Sequence, residues 1–154
     1  MTRIINIAGN NGSGKTALAL NLGIALTNKG KDVLLFDGNI YSPDIANYSD
    51  ISPSIFLNEF LEGEKNIEET ILFHPTGMKI IPSMGEEEYN LEKHKKINQA
   101  LLSLIGKAEI ILVDSFSHSP PLFSVVDNAD ETIFITNQPN QKPYINPRIG
   151  DEIS

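Results

Sequence analysis

Eight consecutive residues constrain this chain more than anything else in it: Gly9-Asn10-Asn11-Gly12-Ser13-Gly14-Lys15-Thr16. They fit the pattern G-x-x-x-x-G-K-[ST], in which a glycine-rich turn aims successive backbone N–H groups at phosphate oxygens. The pattern carries meaning only between a strand and a helix, and that context is present. Residues 3–8 predict an apolar strand, and residues 16–29 predict a helix stopped by Gly30. A helix that opens at the loop turns its positive end and its unpaired N–H groups toward an anion. Lys15 is then expected to reach the β- and γ-phosphates of a nucleoside triphosphate, and the Thr16 hydroxyl to ligate its Mg²⁺.

The composition suits such a domain. The chain has 154 residues, 40% apolar and 21% charged, enough for one soluble unit with a single core. It has no Cys, which excludes disulfides, thiolate metal sites and a cysteine nucleophile and agrees with a reducing compartment. The longest apolar stretch, residues 17–27, is interrupted by Asn21 and Gly23 and is shorter than the ~20 residues of a membrane span. The residues before the loop are too few for a signal peptide, so a cytoplasmic protein is expected. The net charge of −8 argues against nonspecific nucleic-acid binding, which needs clustered cations. The densest basic run, Lys93-His94-Lys95-Lys96, follows Glu86-Glu87-Glu88 and Glu92 and reads as a solvated helix face.

Farther along, short apolar runs alternate with helical stretches. In the first helix, Leu18, Leu22, Ala25 and Leu26 share one face, and Ala17, Leu20 and Ile24 make the other face apolar as well, which predicts burial all round. Residues 33–36 form an unbroken apolar strand, as in a sheet covered on both sides. Ser52-Pro53 reads as a helix start, with Phe56, Leu57, Phe60 and Leu61 as its stripe and Gly63 as its stop. Residues 67–73 suit either a helical turn or a short strand, and residues 78–81 a strand ending at Pro82. An amphipathic helix is expected over residues 91–105, with Ile97, Leu101, Leu104 and Ile105 facing inward. A strand over 109–113, a short helix over 120–128 and a strand over 131–136 complete the pattern. The alternation predicts an α/β domain: a mainly parallel sheet of about five strands with helices on both faces. Residues 1–139 are expected to form the nucleotide-binding domain. Residues 140–154 read as an irregular tail, because the stretch over 137–154 carries Pro139, Pro143 and Pro147 and lacks a clear period.

Two aspartates stand at the ends of apolar strands. Asp37 follows Val33-Leu34-Leu35-Phe36, and Asp114 follows Ile110-Ile111-Leu112-Val113. In a parallel sheet those ends lie beside the loop, where ligands bind. Both carboxylates are expected in the Mg²⁺ shell through waters, the alternative being that each caps a turn. His74, His94 and His118 have no metal-binding spacing, and Ser115, Ser117 and Ser119 have no His/Asp arrangement that would make a nucleophile.

These residues together resemble the MinD/ParA family of P-loop ATPases, especially archaeal MinD-like proteins (the SIMIBI class of P-loop NTPases). The likeness runs from Ile4 through the loop and the helix Ala17–Leu26, through Gly30-Lys31-Asp32-Val33-Leu34-Leu35-Phe36-Asp37, and on to Phe60-Leu61-Glu62-Gly63-Glu64, Gly77-Met78-Lys79-Ile80-Ile81-Pro82, Asp114 and Ala129-Asp130-Glu131-Thr132. The resemblance implies ATP and Mg²⁺ as cofactors, an ATP-dependent homodimer and a protein partner in positioning or assembly. It covers residues 1 to about 139.

Departures from the family pattern fall at the turnover machinery. Where the family's loop has a signature Lys that crosses to the partner's nucleotide, this chain has Asn10, and Asn11 replaces the next Gly. Where the family's D-x-D segment has a second Asp that positions the attacking water, this chain has Asn39 in Asp37-Gly38-Asn39. After the Walker B Asp it has Ser115-Phe116-Ser117-His118 in place of Pro and Gly. The expectation is retained Mg-ATP binding through Lys15, Thr16, Asp37 and Asp114, with weak or absent hydrolysis. The alternatives are a nucleotide-binding scaffold without turnover and a small-molecule kinase. Arg3 and Arg148 are the only arginines and belong to no visible lid, which disfavours the kinase. The resemblance implies an adenine-contacting Asn on a later strand, which is not expected within these residues, and Asn137 is a candidate substitute base contact. Residues 145–154 are short and hold Pro147, so no C-terminal membrane helix is expected.

Overall fold

The structure is a computed structural model that describes residues 1–9, 12–86, 91–115 and 129–135. The expectations for Asn10, Asn11, His118, the helix over 120–128, Asn137 and the tail over 140–154 lie outside the described residues.

A six-stranded sheet organises the chain, in the order β3-β4-β2-β5-β1-β6. The strands are β1 (Arg3–Gly9), β2 (Val33–Asp37), β3 (Leu72–Phe73), β4 (Lys79–Ile81), β5 (Ile110–Asp114) and β6 (Glu131–Ile135). Every pairing is parallel except that of the edge strand β3 with β4. The helices are α1 (Lys15–Asn28), α2 (Ile45–Tyr48), α3 (Leu57–Leu61) and α4 (Leu91–Ser103), with a 3-10 turn at Ile67–Thr70. None of the described helices is long and apolar enough to cross a membrane.

Alternation along the central strands feeds two cores. Leu34 and Phe36 of β2 and Ile111 and Val113 of β5 pack with Leu57, Leu61, Ile97, Leu101 and Leu104 on the α3/α4 side. Val33 and Leu35 of β2 and Leu112 of β5 pack with Ala19, Leu20, Ile45 and Met78 on the α1/α2 side. Strands buried on both faces need no polar alternation, which is why their sequences are unbroken apolar runs.

Several elements differ from expectation. Helix α1 buries Lys15, Thr16, Ala19, Leu20 and Gly23, while Leu18 and Ala25 are exposed, so one face is covered and not the whole circumference. Small residues decide this: a Cβ on Gly23 would lie 2.6 Å from Met78 Sδ and 3.4 Å from Leu112 Cδ1, so the helix rests closest to the sheet at its glycine. Helix α3 starts at Leu57, not at Ser52-Pro53, because the Leu57 N–H donates to Pro82 O (2.8 Å) and Phe56 stays extended. Residues 67–73 contain both of the alternatives, the 3-10 turn and then β3. Helix α4 ends at Ser103, and Ile105, expected inside, is 53% exposed. The basic run on α4 is not a solvated face. His94 is buried, Lys93 pairs with Glu62 (3.0 Å) and Glu86 (2.9 Å), and Lys96 Nζ donates to Leu61 O (2.7 Å), so the run ties α4 to α3.

Candidate functional site

The phosphate loop leaves β1 at Gly9, and the sequence leaves little room for another residue there. A Cβ on Gly9 would lie 2.6 Å from the Ile135 carbonyl oxygen of β6 and 2.7 Å from Ser13 Oγ. Gly14 closes the loop at φ 89°, a left-handed conformation that a side chain disfavours, and Leu18 N–H donates to Gly14 O (3.0 Å) to begin α1. Lys15 and Thr16 form the first turn, and both are buried.

Register brings the two aspartates together. Asp37 and Asp114 are Cα partners across the β2–β5 ladder, and neither has any solvent exposure. Thr16 Oγ1 donates to Asp114 Oδ2 (2.6 Å). Asp37 Oδ1 accepts the Asn39 N–H (3.2 Å), and the Ile45 N–H also donates to the Asp37 carboxylate. Asn39 is buried as well, and its Nδ2 donates to Ser42 O (2.9 Å). Ser83 Oγ donates to Asp37 O (2.6 Å), and Gly38 N–H donates to Asp114 O (2.9 Å), which pins the strand end from both sides.

What remains unpaired is as informative as what is paired. Asp37 Oδ2, Asp114 Oδ1, Asn39 Oδ1 and Ser13 Oγ are buried without a hydrogen-bond partner among the described residues. Burial, and then the Asp114 charge, hold the Asp37 carboxyl well above the usual carboxylate range. Burial likewise raises Asp114, against the pull of its Thr16 hydrogen bond and of Lys15. Desolvation lowers the Lys15 ammonium, although Asp114, Asp37 and Asp44 pull it the other way. A buried carboxylate oxygen with no partner is costly, and it is the kind of atom that a hard cation or its bound water satisfies. Thr16, Asp37 and Asp114 carry only oxygen donors, the chemistry that Mg²⁺ takes.

Lys15, Thr16 and Asn39 line a cleft of about 230 Å³ together with Gly12, Gly14 and Asp44, among others, while Asp37 and Asp114 lie fully buried behind it. The structure therefore brings together Lys15, Thr16, Asp37, Asn39 and Asp114 of the sequence-predicted residues. Sequence reasoning missed Ser42, Asp44 and Tyr48, which also line the cleft. The Ser42-Pro43-Asp44 turn before a helix was the available signal. A larger groove of about 450 Å³ lies between the loop at Ile51–Ile55 and the stretch Glu69–Phe73, and among the described residues none that lines it carries an unpartnered buried polar atom.

Comparison with known proteins bears on the family and the fold. The model of the CobQ/CobB/MinD/ParA nucleotide binding domain matches residues 4–113. The chain is 28% identical over 109 residues to an uncharacterised ATP-binding protein of Methanocaldococcus jannaschii, covering 70% of this chain and 41% of that protein. It is 24% identical over 111 residues to the antiactivator FleN of Pseudomonas aeruginosa, covering 70% of this chain and 40% of that protein. It superposes on the septum site-determining protein MinD of Pyrococcus horikoshii, complexed with Mg-ADP, with a TM-score of 0.79 at 30% identity, over 88% of this chain and 58% of that one. The chain thus spans about two fifths of the length of these curated relatives.

Proposed function

Because the chain belongs to the CobQ/CobB/MinD/ParA family of nucleotide-binding domains, we propose that it is a Mg-ATP-dependent switch with weak hydrolysis that acts on a protein partner in positioning or assembly. One observation carries the reading: the buried oxygens Asp37 Oδ2 and Asp114 Oδ1 have no partner and sit at the end of the strands beside Lys15, where α1 begins. The N-terminus of α1 and Lys15 hold the phosphates. Thr16, Asp37 and Asp114 would hold the metal, and a bound Mg²⁺ would supply positive charge against the phosphate oxygens.

Weak turnover follows from Asn39. Its Nδ2 donates to Ser42 O, and its Oδ1 is an acceptor that cannot take a proton at neutral pH. Light scattering tests the switch. Mg-ATP should convert the protein to a dimer and Mg-ADP should leave it monomeric, whereas one oligomeric state with both nucleotides would favour a scaffold. Single-turnover hydrolysis tests the chemistry. The rate should lie well below that of a family member with both Asp residues, and the double variant Asn10→Lys with Asn39→Asp should raise it.

A further inference from the structure

We propose that Asp44 is a catalytic residue of this site, supplying the carboxylate that orients the attacking water in place of Asn39. The inference rests on the nucleotide-binding reading above and adds a residue to it.

Four observations lead to Asp44. It lines the same cleft as Gly12, Lys15, Thr16 and Asn39. Its position is fixed: Asp44 O accepts the Tyr48 N–H (3.0 Å), and the next residue, Ile45, is fully buried in the α1-side core while its N–H donates to Asp37. Its carboxylate is not used for the local task that its place suggests, since Asp44 stands at the N-cap of α2 and makes no side-chain cap hydrogen bond. Finally, Asp44 and Lys15 line one cleft, and the Asp44 charge adds a small contribution at Lys15, Asp37 and Asp114.

Asn39 supplies the complementary half. Asn39 lines the same cleft, and its Oδ1 is buried with no hydrogen-bond partner among the described residues, so the amide offers an acceptor for one hydrogen of a water and cannot accept the proton. A water that donates its second hydrogen to the Asp44 carboxylate has a lone pair left for the γ-phosphorus. In the transfer, the bond from water oxygen to the γ-phosphorus forms as the bond from the γ-phosphorus to the β,γ-bridging oxygen breaks. The electron pair of the broken bond stays on ADP, and the water's proton passes to Asp44 and then to solvent, leaving ADP and inorganic phosphate. Asp44 is solvent-exposed, a poorer place for a catalytic carboxylate than the buried Asn39 position, which is consistent with slow turnover.

The test uses the full chain in four forms: wild type, Asp44→Asn, Asn39→Asp, and Asn39→Asp with Asp44→Asn. Single-turnover hydrolysis of Mg-ATP is measured beside calorimetric affinities for Mg-ADP alone and for Mg-ADP with aluminium fluoride, which imitates the transferring phosphoryl group. Asp44→Asn should lower the hydrolysis rate by about a hundredfold. It should also erase most of the tightening that aluminium fluoride gives over Mg-ADP, with Mg-ADP itself still bound. The double variant should regain both. Unchanged hydrolysis and unchanged fluoride tightening in Asp44→Asn overturn the proposal while nucleotide binding stands, and so does a wild type that binds Mg-ATP but never hydrolyses it. Failure of every form to bind any nucleotide overturns the proposal together with the reading beneath it.

Discussion

Two rungs of one ladder, two residues apart on each strand, behave in opposite ways. Leu35 of β2 faces Leu112 of β5, and two residues on, Asp37 faces Asp114. All four side chains are fully buried. The middle of α1 rests on the leucine rung through Gly23, and its first turn rests on the aspartate rung through Thr16. The leucine rung stabilises by removing apolar surface from water. The aspartate rung leaves Asp37 Oδ2 and Asp114 Oδ1 unpartnered and holds both carboxyls above their usual range. The same register builds the core and the site, and the change from one to the other is a change of side chain at the strand end.

The largest effect should come from breaking the apolar rung. Leu35→Ala should cost about 2–5 kcal/mol of stability, read by urea denaturation, because a fully buried leucine leaves a cavity between helix and sheet. Lys15→Ala should act on the other rung's function instead. Loss of a charge-assisted contact to phosphate should weaken Mg-ATP binding by about a hundredfold in calorimetry. The fold should hold, since desolvation already disfavours that ammonium.

Asp37→Asn sharpens the comparison through its sign. In the unfolded chain Asp37 loses its proton in the ordinary carboxylate range; in the fold it keeps the proton to higher pH. The native state therefore binds more protons across that interval, and stability falls as pH rises from the ordinary range through the raised folded value, then stays lower. An Asn has no such loss. Without metal or nucleotide, Asp37→Asn should melt above wild type by roughly 2–4 °C for each kcal/mol relieved at pH 8, with the gap closing as the pH approaches 4. A lower melting temperature at pH 8 would show that the aspartate rung contributes stability as the leucine rung does. The smallest effect belongs to Ile105→Ser. The side chain is 53% exposed and should change stability by no more than about 0.5 kcal/mol.

That last residue also marks where sequence reading stopped. The loop, β1, β2, β5 and the two strand-end aspartates were legible because each combines a strong local pattern with one place in a parallel sheet. The inward face of α1 was not, because Leu18 and Leu22 are as apolar as Leu20. The choice fell to Gly23, whose close approach to Met78 and Leu112 is a tertiary fact. Ile105 continued the helical period on paper, but α4 ends at Ser103 and Gly106 turns the chain at φ 89°. Helix α2 has four residues and thus no period to detect, so Asp44 was overlooked. The run Lys93–Lys96 looked solvated because its partners, Glu62, Glu86 and Leu61 O, come from other elements.

Calorimetric titration of the full chain with ATP, with Mg²⁺ present and with Mg²⁺ chelated, tests the central claim most directly. If the unpartnered oxygens of Asp37 and Asp114 are kept for a metal-bound polyphosphate, binding is saturable with Mg²⁺ and weakens sharply without it. Equal affinity in both conditions, or no binding by the folded protein at millimolar Mg-ATP, would contradict the account.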